Sequence, residues 1–231
     1  TALPEQAIKD IVVSAFQSAG QRCSALRLLY LQEDVAGEFL EMLYGAMDEL
    51  KVGSPWHLST DIGPIINHDA KAKIDHYVEQ AANSGRLLKR LNKPKDGFFV
   101  APSVIKTGGI GDLDEEIFGP VLHVATFKAD ELEQIVDDIN ASQYGLTFGL
   151  HTRIDDRVET LSTELNVGNI YINRNQIGAV VGSQPFGGEG LSGTGPKAGG
   201  PKYLTRFIHH DSVGHDTLVG DILDIKDVQK Q

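Results

Sequence analysis

Cysteine occurs once in the chain, at position 23, so no intramolecular disulfide can form and a reducing compartment fits the composition. Long apolar runs are missing too. Stretches such as Ala179 to Val181 fall far short of the ~20 residues that cross a bilayer, and no secretory leader opens the chain. Basic residues are in deficit, 21 Lys and Arg against 32 Asp and Glu, and the formal charge of −11 repels phosphate backbones. Nucleic acid is therefore not an expected partner, and a soluble, cytoplasmic protein is the expectation. Methionine appears only at Met42 and Met47, inside a helical pattern, and the chain begins at Thr1, which reads as a piece of something longer. No internal repeat of fixed period is visible.

What is present is ordinary globular material: 231 residues, 41% apolar and 23% charged, enough for one sizeable domain that needs no staples. Ile8, Ile11, Val12, Ala15 and Phe16 lie on one face of a predicted helix that Pro4 opens and Gly20 ends. Further helices are predicted over 35–50, 69–83, 130–140 and 155–165. Strands are predicted over 26–31, 98–105 (bent by Pro102), 121–127, 146–152 and 167–173. Strands alternating with helices imply an α/β layer architecture, an open, mostly parallel sheet with helices on both faces. Residues 203–208 read as a further short strand. The tail 209–231, with five aspartates and no aromatic ring, is an edge strand, an arm to a partner subunit or partly disordered.

Cys23 is the first candidate for chemistry. A lone cysteine is more often a small buried hydrophobe. This one follows a helix stop, is flanked by Gln21, Arg22 and Ser24, and stands at the mouth of a strand, where a thiolate nucleophile can operate. Nine glycines between 178 and 200 indicate a shaped loop in close backbone approach to a ligand or to another segment. Gly188, Gly190 and Gly193 spell G-x-G-x-x-G, but prolines and glycines follow where a dinucleotide fingerprint needs a helix. His209, His210 and His215 with Asp211 read as a solvated turn, and no metal site is expected. By residue type alone, Asp114, Glu115 and Glu116 are a solvated acidic face, and a Cys–His hydrolase stays open as an alternative.

Three segments together resemble the aldehyde dehydrogenases: SAGQRCSA at 18–25, EEIFGPV at 115–121 and QPFGG at 184–188, with DIGPIIN at 61–67 as a fourth. The runs IGAVVGSQPFGG at 177–188 and SGTGPKAGGP at 192–201 are most similar to the 1-pyrroline-5-carboxylate (L-glutamate γ-semialdehyde) dehydrogenase domains of the bifunctional proline utilization A type. The resemblance implies NAD-dependent oxidation of L-glutamate γ-semialdehyde to glutamate in proline catabolism. Cys23 would be the nucleophile, passing through a thiohemiacetal and a thioester. Its backbone N–H would face the oxyanion. Glu116 would hold the nicotinamide ribose and Phe118 would pack beside it. Ser24 and Phe186 would line the aldehyde pocket, and the Gly178 and Ala179 amides would receive the substrate carboxylate.

The resemblance also implies a division into a catalytic domain, residues 1–202, and a C-terminal oligomerisation strand and tail, 203–231, with a homo-oligomer expected. In the family, the NAD-binding domain, the oxyanion asparagine and the general-base glutamate precede the nucleophile segment. Only 22 residues precede Cys23 here, so negligible turnover is expected of the chain alone. FAD would belong only to a proline dehydrogenase domain of the parent. A catalytically silent fragment or scaffold is the competing reading.

Overall fold

The computed structural model describes residues 1–179 and 183–208. Helix α1 (Pro4–Phe16) starts with proline in its first turn and buries Ala7, Ile8, Ile11, Ala15 and Phe16. Each fully buried side chain of Ile or Phe size contributes about 1.5–3 kcal/mol. A 3-10 turn, Gln17–Gly20, then reverses the chain with three successive residues at positive φ: Ser18 (56°), Ala19 (55°) and Gly20 (66°). Strand β1 (Leu28–Gln32) follows and runs directly into α2 (Glu33–Asp48). Glu33 and Asp34 in the first turn of α2 suit the positive end of its dipole.

Helix α3 (His68–Asn83) is capped by Asn67, whose side-chain oxygen accepts from the Ala70 N–H at 2.9 Å. Strands β2 (Leu87–Arg90), β3 (Ser103–Lys106) and β4 (Val121–Phe127) come next. With β1 they form a four-stranded sheet in the order β1-β4-β3-β2, parallel except for β2 against β3. Helices α1 and α2 pack on β1 and β4, and α3 packs on β2 and β3. Tyr77 of α3 reaches His123 of β4, and neighbouring strand side chains alternate in direction. Leu122 and Val124, also buried, are therefore covered from the opposite face, and the sheet carries helices on both sides.

A second, smaller core of Val136, Leu161 and Leu165 lies between α4 (Leu132–Ala141), α5 (Asp155–Glu164) and a parallel pair, β6 (Thr147–Leu150) with β7 (Asn169–Ile172). A two-residue strand, β5 (Tyr144–Gly145), pairs antiparallel with β8 (Glu189–Gly190). The expected parallel character is present, but the strands fall into this four-stranded sheet and the separate β6–β7 pair. Between them runs a cavity of about 1070 Å³ with β1 on one wall and β6 on the other. Helix α1 spans both units: Gln6 Nε2 donates to Asn173 O at 2.8 Å, and Ser14 Oγ accepts from the Gln176 N–H at 3.2 Å.

Three expectations change. Residues Tyr203–Phe207 form a 3-10 helix rather than a strand, with Tyr203 and Phe207 edge to face at 5.5 Å. The strand expected over 98–105 starts only at Ser103, because Pro102 has no N–H to give a ladder. Strand β2 lies where no strand was expected. The tail 209–231, with His209, His210, Asp211 and His215, falls outside the described residues. Among the described residues no helix is long and apolar enough to cross a membrane.

Candidate active site

The turn that carries Cys23 is built by the strained reversal after α1. An L-residue at positive φ costs of order 1–3 kcal/mol, and Ser18 and Ala19 both adopt it. The reversal is held by its surroundings. Gly20 abuts Gly119 so closely that a Cβ on it would sit 2.1 Å from the Gly119 carbonyl oxygen. Gln21 clamps the turn to the 61–67 segment: its Oε1 accepts from the Ile66 N–H at 2.8 Å and its Nε2 donates to Pro64 O at 3.1 Å. A turn closed by the Ala25 N–H on Arg22 O, at 3.1 Å, then presents Cys23. Its thiol is free and exposed.

The acidic segment approaches from β4. Register pairs Leu28 with His123, so the Cys23 turn and residues 116–119 both lie at the amino ends of adjacent parallel strands. Glu116 Oε1 accepts from Arg27 Nε at 3.1 Å, and the Glu116 side chain remains 47% exposed. Phe118 is exposed, with the Arg27 guanidinium 4.8 Å from its ring centroid. Cys23, Glu116 and Phe118 all line the same cavity, together with Arg27. Burial draws the Arg27 pKa below its usual value, while the Glu116 carboxylate and, more weakly, Cys23 pull it back up.

A carboxylate with an oxygen to spare, next to an open aromatic face, suits the ribose hydroxyls and ring of a nicotinamide nucleoside. Glu116 and Phe118 thus fit NAD. The cavity also holds His123 and His151. Both ring nitrogens of His123 are engaged, Nε2 with the Tyr77 hydroxyl at 2.8 Å and Nδ1 with Arg27 O at 2.9 Å. A carbonyl only accepts, so Nδ1 carries the proton and Nε2 receives the Tyr77 O–H. His151 lies 3.8 Å from Asp10. Among the described residues no imidazole is hydrogen-bonded to the Cys23 thiol.

The remaining candidates are not among the residues that line this cavity. Ser24 is buried, Gly178 (φ 86°) and Ala179 are exposed after β7, and Phe186 is half-buried; among the described residues, none of the four lines the cavity. Phe186 and Ala198 exchange backbone hydrogen bonds of 3.0 and 2.9 Å, which fold residues 186–198 back on themselves. Asn169 Nδ2 donates to Gly187 O at 2.8 Å and Lys197 Nζ to Gly168 O, fixing this loop to β7. Here the close approach is to the chain's own backbone: a Cβ on Gly168 would sit 1.9 Å from Gly187 O. Arg27 and Gln21 are the site residues that sequence reasoning passed over. A charge embedded in the apolar run 26–31 was the available signal, because a buried guanidinium needs partners.

The sequence model of the aldehyde dehydrogenase family matches residues 2–213. The chain belongs to the aldehyde dehydrogenase family. Among its members, the bifunctional protein PutA of Salmonella typhimurium is 50% identical over 218 residues, covering 91% of this chain and 16% of that protein. Proline utilization A from Bradyrhizobium japonicum superposes with a TM-score of 0.87 at 53% identity, over 90% of this chain and 21% of that one. A 1-pyrroline-5-carboxylate dehydrogenase from Thermus, solved with bound NAD, superposes with a TM-score of 0.80 at 38% identity, over 90% of this chain and 40% of that one. Within the aldehyde dehydrogenase family, then, this chain spans a minor part of these relatives' length.

Proposed function

We propose that this chain is the C-terminal catalytic portion of an NAD-dependent dehydrogenase that oxidises L-glutamate γ-semialdehyde to glutamate in proline catabolism, with residues 1–202 as the catalytic domain and 203–231 as an oligomerisation segment. The observation that carries the reading is the exposed thiol of Cys23 on one cavity with the exposed carboxylate of Glu116 and the exposed ring of Phe118. The names of the relatives support the substrate class.

In this mechanism the Cys23 thiolate adds to the aldehyde carbon. The backbone N–H of Cys23 donates to the oxygen as it takes on charge, and the thiohemiacetal is stabilised where it forms. NAD, when bound, supplies the hydride acceptor. Glu116 would hold its ribose hydroxyls and Phe118 would exclude water beside them. Water finally cleaves the thioester at Cys23 and releases the acid. Gly178 and Ala179, exposed and without bulky side chains, offer backbone amides to the substrate carboxylate, while Ser24 and Phe186 shape the aldehyde pocket.

The test is NADH formation from glutamate semialdehyde by the complete enzyme with Cys23 intact and with Cys23→Ala. Loss of turnover in the variant, with NAD still bound, is expected. Undiminished turnover refutes the assignment. The 231-residue chain by itself is expected to form no appreciable NADH.

A further inference from the structure

One guanidinium joins both halves of the site. Arg27 Nε donates to Glu116 Oε1 at 3.1 Å, Nη1 to Gly20 O at 2.7 Å and Gly119 O at 3.3 Å, and Nη2 to Arg22 O at 3.0 Å. The same planar group lies 4.8 Å from the Phe118 ring centroid. Two of these acceptors belong to the nucleophile turn and two to the 116–119 segment. The Arg27 side chain is only 15% exposed. Its own carbonyl takes the His123 N–H at 2.8 Å and Nδ1 at 2.9 Å, so the group is anchored from the β4 side as well.

A mere strut between two loops does not need a charge. Desolvating a guanidinium is costly, and apolar packing would join the loops with less penalty. What a guanidinium adds is a rigid fork with five donors in fixed directions, which can aim several acceptors at once. Among the described residues, Glu116 Oε2 receives no hydrogen bond. One carboxylate oxygen is therefore fixed and the other is left without a hydrogen bond, on a residue that lines the cavity.

We propose that Arg27 is the positioning residue of this site: through Glu116 and Phe118 it sets the seat of the nicotinamide riboside, and through the Gly20 and Arg22 carbonyls it sets the placement of the Cys23 turn relative to that seat. This rests on the dehydrogenase reading for what the seat holds, but not for the placement of Cys23. Arg27 itself touches no reacting atom.

The experiment compares Arg27→Ala and Arg27→Lys with the parent in the complete enzyme. Misplacing a reacting group by about 1 Å costs on the order of 100-fold in rate, so kcat is expected to fall about 10- to 100-fold in both variants. KM for NAD is expected to rise several-fold while KM for the aldehyde stays put. Lysine fails to restore activity because a point charge cannot fork, whereas added guanidinium, at concentrations that leave the parent active, returns part of kcat to Arg27→Ala. Thermal melting reports the folded fraction. Activity lost only in proportion to that fraction, or KM for NAD left unchanged, overturns the proposal. A second readout stands apart from the dehydrogenase reading: alkylation of Cys23 by iodoacetamide in the complete enzyme, followed on the Cys23 peptide by mass spectrometry, is expected to slow several-fold in Arg27→Ala. If the parent enzyme oxidises no semialdehyde with NAD, the functional reading fails and this rate alone decides: a slower rate upholds Arg27 as the residue placing Cys23, and an unchanged rate removes it.

Discussion

Tyr77 and His123 meet between α3 and β4 in a hydrogen bond of 2.8 Å, with their rings edge to face at 5.7 Å. The imidazole is otherwise sealed in the core and passes its second nitrogen to the Arg27 carbonyl. A polar ladder thus runs from α3 through the central strand to the residue that ties the site together.

Removing the phenol should expose the value of that ladder. Tyr77→Phe leaves a buried imidazole nitrogen unpaired, at a cost of about 1–3 kcal/mol. Urea unfolding should show the loss as a lower midpoint with an unchanged slope. A midpoint equal to the parent's would mean that the bond contributes nothing.

Acid should weaken the fold through the same ring. Burial holds the His123 pKa below 6.5, acceptance by the Arg27 carbonyl opposes this, and the charges of Arg86 and Arg27 lower it further. His151 is also lowered by burial, against the raising effect of Asp10. A histidine with a depressed folded pKa is neutral in the native state and takes up its proton on unfolding. Stability is therefore fully present above the unfolded value of 6.5 and is lost as the pH falls from there toward the folded pKa. Melting temperatures read between pH 8 and 5 should decline on the acid side, and His123→Gln should flatten part of that decline. A His123→Gln profile parallel to the parent's over this range would reject the linkage.

Gly20→Ala meets two obstacles together. The left-handed backbone costs an L-residue about 1–2 kcal/mol, and the new methyl group would press on Gly119 O. We expect destabilisation above about 2 kcal/mol in urea titrations and an altered rate of Cys23 alkylation. Parent-like values of both would show that the reversal tolerates a side chain.

Gln21→Ala releases the Ile66 N–H and Pro64 O from their shared amide. These groups are near solvent, so the stability loss should stay near 1 kcal/mol. Proteolysis should report the change more clearly, with faster cleavage in residues 54–66 of the variant. Equal cleavage rates would place the restraint elsewhere.

Helix α1 was legible because apolar spacing agreed with its flanking signals, Pro4 and Gly20, and α3 because its apolar spacing was clear, although its Asn67 cap went unread. Strand β4 was legible as a mostly apolar run, VLHVATF, and its first five residues are buried on both faces. Pairing was not legible, since period reveals which face is buried and not which neighbour lies alongside; hence the separation of β6–β7 from the main sheet. Strand β2 was hidden because LLKR leaves mostly half-buried positions with no alternation to notice. Residues 203–207 carry the strand-favouring Tyr203, Thr205 and Phe207 but form a 3-10 helix, with Thr205 N–H donating to Lys202 O at 3.3 Å. For the candidate site, Cys23, Glu116 and Phe118 were named by family motif, and physical pattern alone singled out only Cys23. Arg27 was concealed because every one of its acceptors is distant in sequence or is a backbone carbonyl, which leaves no trace in composition.

The bare contact between Gly20 and Gly119 has a mechanical consequence. With no side chain interposed, no rotamer change can absorb a shift, so any displacement of the 116–119 segment is handed undiminished to the turn that bears the sulfur. The two behave as one lever. Fluctuations of amides 20–23 and 116–119, read by nuclear relaxation, would rise and fall together.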